Sequence, residues 1–119
     1  MNIFRMAVLS MLALLAATAA AHTRLAESVP AHEAQLTVAP RHIELTFSEA
    51  VRLTALAIRK QGGSTQEVGP LPSEPATDFL LSAPRLDAGE YLVTWRALSI
   101  DTHVMTGEFA FSLNVQAGR

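Results

Sequence analysis

The chain contains no cysteine. That excludes disulfide bridges, zinc sites built on thiolates and copper centres that need a cysteine sulfur. Aromatic residues are only 6% of the 119, with one Trp and one Tyr, so no flat aromatic platform for a polysaccharide is evident. Charged residues are 17% of the chain, and 9 Lys+Arg stand against 11 Asp+Glu. Without a basic excess, no nucleic-acid partner is expected, because such proteins carry a basic stripe that neutralises phosphates. No apolar run approaches the ~20 residues that cross a bilayer as a helix. Stability must then come from burying apolar side chains.

What is present begins with a leader-like segment. Residues 1–21 carry one cation, Arg5, then an apolar run from Met6 to Ala17, then small residues ending in Ala19-Ala20-Ala21. This is the tripartite pattern of a secretory signal peptide. Cleavage after Ala21 would export the chain and leave residues 22–119, the size of one domain. It would also make His22 the first residue, with an imidazole and a free α-amine on the same residue.

Beyond residue 22 the signal is alternation of apolar and polar residues, without a helical period. Ile43, Leu45 and Phe47 share one face of His42–Phe47. Tyr91, Val93, Trp95 and Ala97 do so in Glu90–Leu98, and Phe109, Phe111, Leu113 and Val115 do so in the last segment. Such alternation marks half-buried strands. Arg24–Ser28, Leu53–Lys60, Thr65–Val68 and Asp78–Ser82 complete a set of seven. Turn residues separate them: Pro30, Pro40, Gly62-Gly63, the Pro-rich stretch Gly69–Thr77, Pro84 and Asp87-Ala88-Gly89. The pattern predicts an all-β fold, a small Greek-key β-sandwich or barrel of the cupredoxin-like or Ig-like kind. There is no internal repeat. Trp95 reads as a core residue whose indole N–H needs an acceptor.

Four residues carry chemistry: His22, Glu49, Asp101 and His103. Asp101-Thr102-His103 puts a carboxylate and an imidazole two residues apart, on the same side of an extended segment. It falls between two predicted strands, where a rigid sandwich displays function. Taken alone, such a pair is more often a surface turn or a local hydrogen-bonded pair than a pair of ligands. Glu49 reads as a strand-end carboxylate. His32, in a Pro-Ala-His-Glu turn, and His42, on a polar strand face, read as exposed and idle.

In order, His22-Thr-Arg-Leu, Ser28-Val-Pro30, Ile43-Glu-Leu-Thr-Phe-Ser-Glu49, Ala88-Gly-Glu-Tyr-Leu-Val-Thr-Trp95-Arg-Ala-Leu-Ser, Asp101-Thr-His103 and Thr106-Gly-Glu-Phe resemble the CopC family of periplasmic copper-binding proteins. The resemblance covers nearly all of residues 22–119. It implies a cupredoxin-like β-barrel holding Cu(II) at one end. The family's ligands fall on His22 (amine and one ring nitrogen), Asp101 and His103. The glutamate of F-S-E, a nearby or weak axial group in some members, falls on Glu49. A methionine-rich Cu(I) loop known in some members has no counterpart here, because residues 53–68 contain no methionine and Met105 is the only one after residue 21, so a member that binds only Cu(II) is expected.

Three nitrogens and an oxygen in tetragonal array suit Cu(II), which also tops the divalent affinity order. The resemblance thus implies periplasmic copper buffering and transfer in copper homeostasis or resistance, without catalysis. An inner-membrane copper permease and a periplasmic copper oxidase are the partners it implies, and a monomer is expected. Two alternatives stay open from the residues themselves. One is a copper mono-oxygenase, which also uses an N-terminal histidine chelate. The other is a metal-free β-sandwich serving as an interaction module.

Overall fold

The computed structural model describes residues 23–115. The expectations placed on the leader and on His22 lie outside the described residues. Within them the chain forms seven strands and no helix: β1 (Leu25–Val29), β2 (Ala34–Leu36), β3 (His42–Lys60), β4 (Thr65–Glu67), β5 (Ala76–Ser82), β6 (Gly89–Ser99) and β7 (Val104–Leu113). All belong to one curled sheet, whose main path runs β1-β3-β6-β7-β2, with β4 and β5 also paired to β3. The all-β expectation is met.

Three details differ from the sequence reading. His42–Phe47 and Leu53–Lys60 are two halves of one 19-residue strand, because Ser48–Arg52 contains no Gly or Pro to break it. β7 starts at Val104, well before Phe109, since Val104–Glu108 pairs with Thr94–Leu98 of β6. The short β2 gave no alternation signal, and it exists because it lies parallel to β7, from Ala34 opposite Phe111 to Leu36 opposite Leu113.

β3 organises the molecule by changing neighbours along its length. Its first half pairs with β1 on one edge and β5 on the other, as Thr46 faces both Glu27 and Asp78. At Val51 the partners are Ala76 of β5 and Ser99 of β6. Since β5 keeps its edge from Thr46 to Val51, β1 and β6 must share the other one. They meet end to end there, at Ser48–Ala50, where the register to β5 also shifts. A strand that exchanges partners at such an irregularity turns a corner, and the sheet curls around one core.

The core is apolar throughout, with no buried polar or charged side chain among the described residues. Ile43, Leu45, Val51, Leu56, Ile58, Val93 and Phe111 are each less than 2% exposed. Full burial of a side chain of this size contributes ~1.5–3 kcal/mol. Trp95 is 7% exposed and meets Phe47 edge-on at 5.1 Å between centroids. Its Nε1–H finds no acceptor among the described residues. At the opposite end of β6, Tyr91 stacks on Phe111 and its hydroxyl donates to the Asp87 carbonyl at 2.6 Å. That bond pins the turn entering β6, and burial raises the phenol's pKa above its ordinary value.

His32 is not idle. It is exposed, yet its Nδ1 accepts the Ala110 N–H at 3.1 Å, tying the β1–β2 turn to β7. His42 is exposed on β3, as expected.

Candidate metal centre

The alternation that builds the core also builds a cleft. On β3 the inward positions run Ile43, Leu45, Phe47, Glu49, Val51; on β6 they run Tyr91, Val93, Trp95, Ala97, Ser99. Glu49 and Ser99 therefore continue core-facing rows with polar side chains. They stand where the β1 and β6 ends meet along β3. Thr23, two residues before the half-buried Leu25 of β1, and Met105, in step with Phe109 and Phe111 on β7, extend the rows of their own strands in the same way. With Asp101 and His103, these residues line one open cleft at the barrel mouth.

The chain entering β1 is held to this rim. The Ser48 N–H donates to the Arg24 carbonyl at 2.9 Å, and the Arg24 N–H donates to Ser48 Oγ at 2.9 Å. The Thr23 hydroxyl then donates to Glu49 Oε1 at 3.2 Å. Glu49 is thus not the strand-end carboxylate of the sequence reading. It lies inside β3, exposed, beside the first described residue.

On the other side of the cleft the β6–β7 turn is closed on Ser99. The Ser99 N–H donates to the His103 carbonyl at 2.9 Å, and the Thr102 N–H to the Ser99 carbonyl at 2.8 Å. The Ser99 hydroxyl donates to Asp101 Oδ1 while accepting the His103 N–H at 3.0 Å. Thr102 has φ of 67°, a left-handed conformation rare for a β-branched residue and found where surroundings over-determine it. Asp101 and His103 therefore face each other across a tight turn and not along an extended segment. Asp101 Oδ2 lies 3.4 Å from His103 Nδ1, and both side chains are open to solvent, at 72% and 80% exposure.

The Ser99 hydroxyl, chiefly, and then the His103 charge and nearby backbone N–H groups hold the Asp101 carboxyl below the usual carboxylate range. With Glu49, the cleft presents two carboxylates and no lysine or arginine side chain, a setting that favours a cation. Donors sharing one ion at about 2.0–2.2 Å stand roughly 2.9 Å apart when cis and about 4.2 Å when trans. The Asp101–His103 spacing falls between. Yet no group of three His, Asp or Glu side chains able to hold a metal occurs among the described residues.

The sequence reading brought out Glu49, Asp101 and His103, and the fold brings all three to one cleft. It missed Thr23, Ser99 and Met105. For Ser99 and Met105 the signal was the parity of the inward rows, visible once the core-facing positions of β6 and β7 are counted past their apolar stretch, and for Thr23 its two-residue step from Leu25.

Comparison with known proteins gives the same family from three directions. The CopC domain family model matches residues 25–114. Copper resistance protein C of Pseudomonas syringae pv. tomato is 37% identical over 110 residues, covering 84% of this chain and 86% of the relative. Protein YobA of Escherichia coli K12 is 32% identical over 98 residues, covering 78% and 79%. Among solved structures, CopC from Methylosinus trichosporium OB3b superposes with a TM-score of 0.70 at 23% identity, over 82% of this chain and 99% of that one, a likeness of fold. PcoC, a methionine-rich copper resistance protein from Escherichia coli, gives 0.55 at 35% identity over 78% and 99%. With a family model matched along most of its length and relatives above 30% identity, the chain belongs to the CopC family of copper resistance proteins.

Proposed function

We propose that this protein, exported to the periplasm and cut after Ala21, binds one Cu(II) ion at the barrel mouth and passes it on. The α-amine and one imidazole nitrogen of His22, the carboxylate of Asp101 and the imidazole of His103 are the ligands. Glu49 stands beside them, orienting a ligand or a bound water. The observation that carries this reading is the cleft itself. Asp101 and His103 face each other at 3.4 Å in it, and Thr23, the residue covalently joined to His22, lines it.

Consecutive Cα atoms across a trans peptide are about 3.8 Å apart, so anchoring Thr23 on Glu49 limits how far His22 can stray. That reduces the ordering cost a free terminus would otherwise meet on binding. The missing donors are then supplied by a single residue. Three nitrogens and one carboxylate oxygen match the tetragonal preference of Cu(II). A metal held between a chain end and a surface turn can leave without disturbing the core, which suits a carrier. The receivers that fit such a role are an inner-membrane copper permease or a periplasmic copper oxidase.

Titration of the processed protein with Cu(II) is expected to show one equivalent bound tightly, with electron paramagnetic resonance reporting three nitrogen ligands. His103→Ala is expected to weaken binding at least tenfold while leaving the thermal midpoint nearly unchanged, since His103 is exposed. Unaltered affinity in that variant would remove the turn from the site.

The pH dependence has a defined sign. Because the Asp101 pKa is lowered in the folded protein, the carboxylate stays ionised until pH falls through that lowered value, below the ordinary ~3.9. Between about pH 8 and pH 5, proton competition therefore falls on the terminal amine, ordinarily near 7.7–8.0. Cu(II) affinity is expected to drop steadily over that interval. Asp101→Asn should lower affinity at every pH without changing the slope. Chelator competition at a series of pH values measures both, and a flatter profile in the variant would show that Asp101 itself takes up the proton.

A further inference from the structure

We infer that a second copy of this chain docks head to tail on the first, the acidic outer face of β1, β3 and β5 in one copy meeting the arginine-bearing outer face of β3, β6 and β7 in the next. The contact needs no metal and uses none of the candidate ligands.

The two faces belong to opposite layers of the curled sheet, whose inward residues meet where Phe47 touches Trp95. Outward rows follow from the registers, because directly paired residues share a side of the sheet. On the first layer one row is Glu27, Thr46 and Asp78, and the next is Val29, Glu44 and Leu80. On the second layer one row is Arg52, Leu98 and Val104, and the next is Ala55, Arg96 and Thr106. The first layer thus shows carboxylates and no cation there, the second arginines and no acid. These charges are not spent inside the chain, since both ion pairs found among the described residues involve histidine.

The spacing of the charges also matches. Glu44 lies opposite Leu80, two residues beyond Asp78, and Arg52 lies opposite Leu98, two residues beyond Arg96. Both pairs are therefore diagonal neighbours on adjacent strands, about 7–8 Å apart, and two ion pairs can form together. Beside them stand apolar side chains that a lone copy leaves in water. Val29 and Leu80 are 51% and 62% exposed, Ile100 and Val104 72% and 55%, and these are four of the six large exposed apolar residues among those described. Such side chains gain from being covered. Like faces repel, so a two-fold dimer through either one is disfavoured. Docking of unlike faces leaves one of each free, and the contact extends into a short stack. Two rows on three strands cover less than the roughly 800 Å² per partner of a standard interface, so the association is weak and depends on concentration.

Sedimentation velocity of the processed, metal-free protein, followed from micromolar to millimolar concentration, is the test. At low salt the average mass is expected to rise with concentration. At about 1 M salt, where the Debye length is about 3 Å, the association constant should fall at least tenfold. Two double variants separate the faces: Arg52→Gln with Arg96→Gln, and Glu44→Gln with Asp78→Asn. Each alone is expected to associate at least tenfold more weakly than the wild type, because each keeps only one charged face. Mixed, the two should form one-to-one pairs with nearly the wild-type affinity and nothing larger. All four side chains lie on the outside of the sheet, so unchanged Trp95 emission and thermal midpoint verify folding. A wild type that stays monomeric up to millimolar concentration overturns the inference. So does a variant that associates as the wild type does, or a mixture that stays monomeric.

Discussion

Placing Gly-Ser-Gly-Ser ahead of His22 is expected to lower Cu(II) affinity at least a hundredfold, about 2.7 kcal/mol. The change touches no residue of the barrel. It converts the α-amine of His22 to an amide, whose nitrogen has no lone pair to give unless it loses a proton. It also moves the new terminal amine far from the imidazole, so no alternative amine–imidazole chelate replaces the lost one. What would remain of the proposed ligand set is Asp101, His103 and a monodentate His22, and no group of three His, Asp or Glu side chains able to hold a metal occurs among the described residues. Chelator competition on the processed and extended proteins, each verified by N-terminal mass, measures the difference. Equal affinities would falsify the role given to the amine. The unfolding midpoint without copper should be the same in both, because the anchoring bonds of Thr23 and Arg24 to Glu49 and Ser48 are kept.

Gly107→Val is expected to destabilise the fold by about 3 kcal/mol, on the order of 15 °C in midpoint for a domain of this size. Gly107 lies in β7 directly opposite Trp95, and the indole occupies the space where its side chain would be. A Cβ built there stands 2.5 Å from Trp95 Cζ2 and 2.8 Å from Nε1. The ring is rigid and wedged against Phe47 at 5.1 Å, so it cannot yield as a flexible side chain would. The backbone at Gly107 is ordinary extended strand, in which valine is otherwise favoured. Any loss is therefore steric. A double-mutant cycle isolates it: on a Trp95→Leu background, already destabilised by a core truncation, adding Gly107→Val should cost far less. Additive costs would show that Gly107 is needed for a reason other than the indole.

The two results probe links of different legibility. The strands of the barrel were readable from alternation, because a half-buried strand writes its burial into the sequence with period two. Reading failed where tertiary pairing replaces local pattern. Ser48–Arg52 looked like the end of a strand because Glu49 puts a carboxylate at an inward position. In the fold it is the corner where β3 exchanges β1 for β6, and an inward position there opens onto the cleft. Val104–Thr106 looked like loop because Gly107 interrupts the apolar row, whereas the missing side chain is supplied across the sheet by Trp95. The contact of His32 with Ala110 spans 78 residues and has no local signature.

By itself the sequence determined which candidate ligands are available and the class of fold. Residue types set which donors exist, the absence of cysteine removed thiolate chemistry, and alternation of apolar side chains dictated a barrel of strands. Only the tertiary structure decided that these donors meet. Thr23, Glu49 and Asp101-Thr102-His103 are separated by 26 residues and then by about twice that many. What joins them is the exchange of β1 for β6 along one edge of β3. The left-handed turn at Thr102 and the two-way hydrogen bonding of Ser99 then aim Asp101 and His103 at each other. These are hydrogen-bond and packing constraints between distant segments, which no local pattern of side chains encodes.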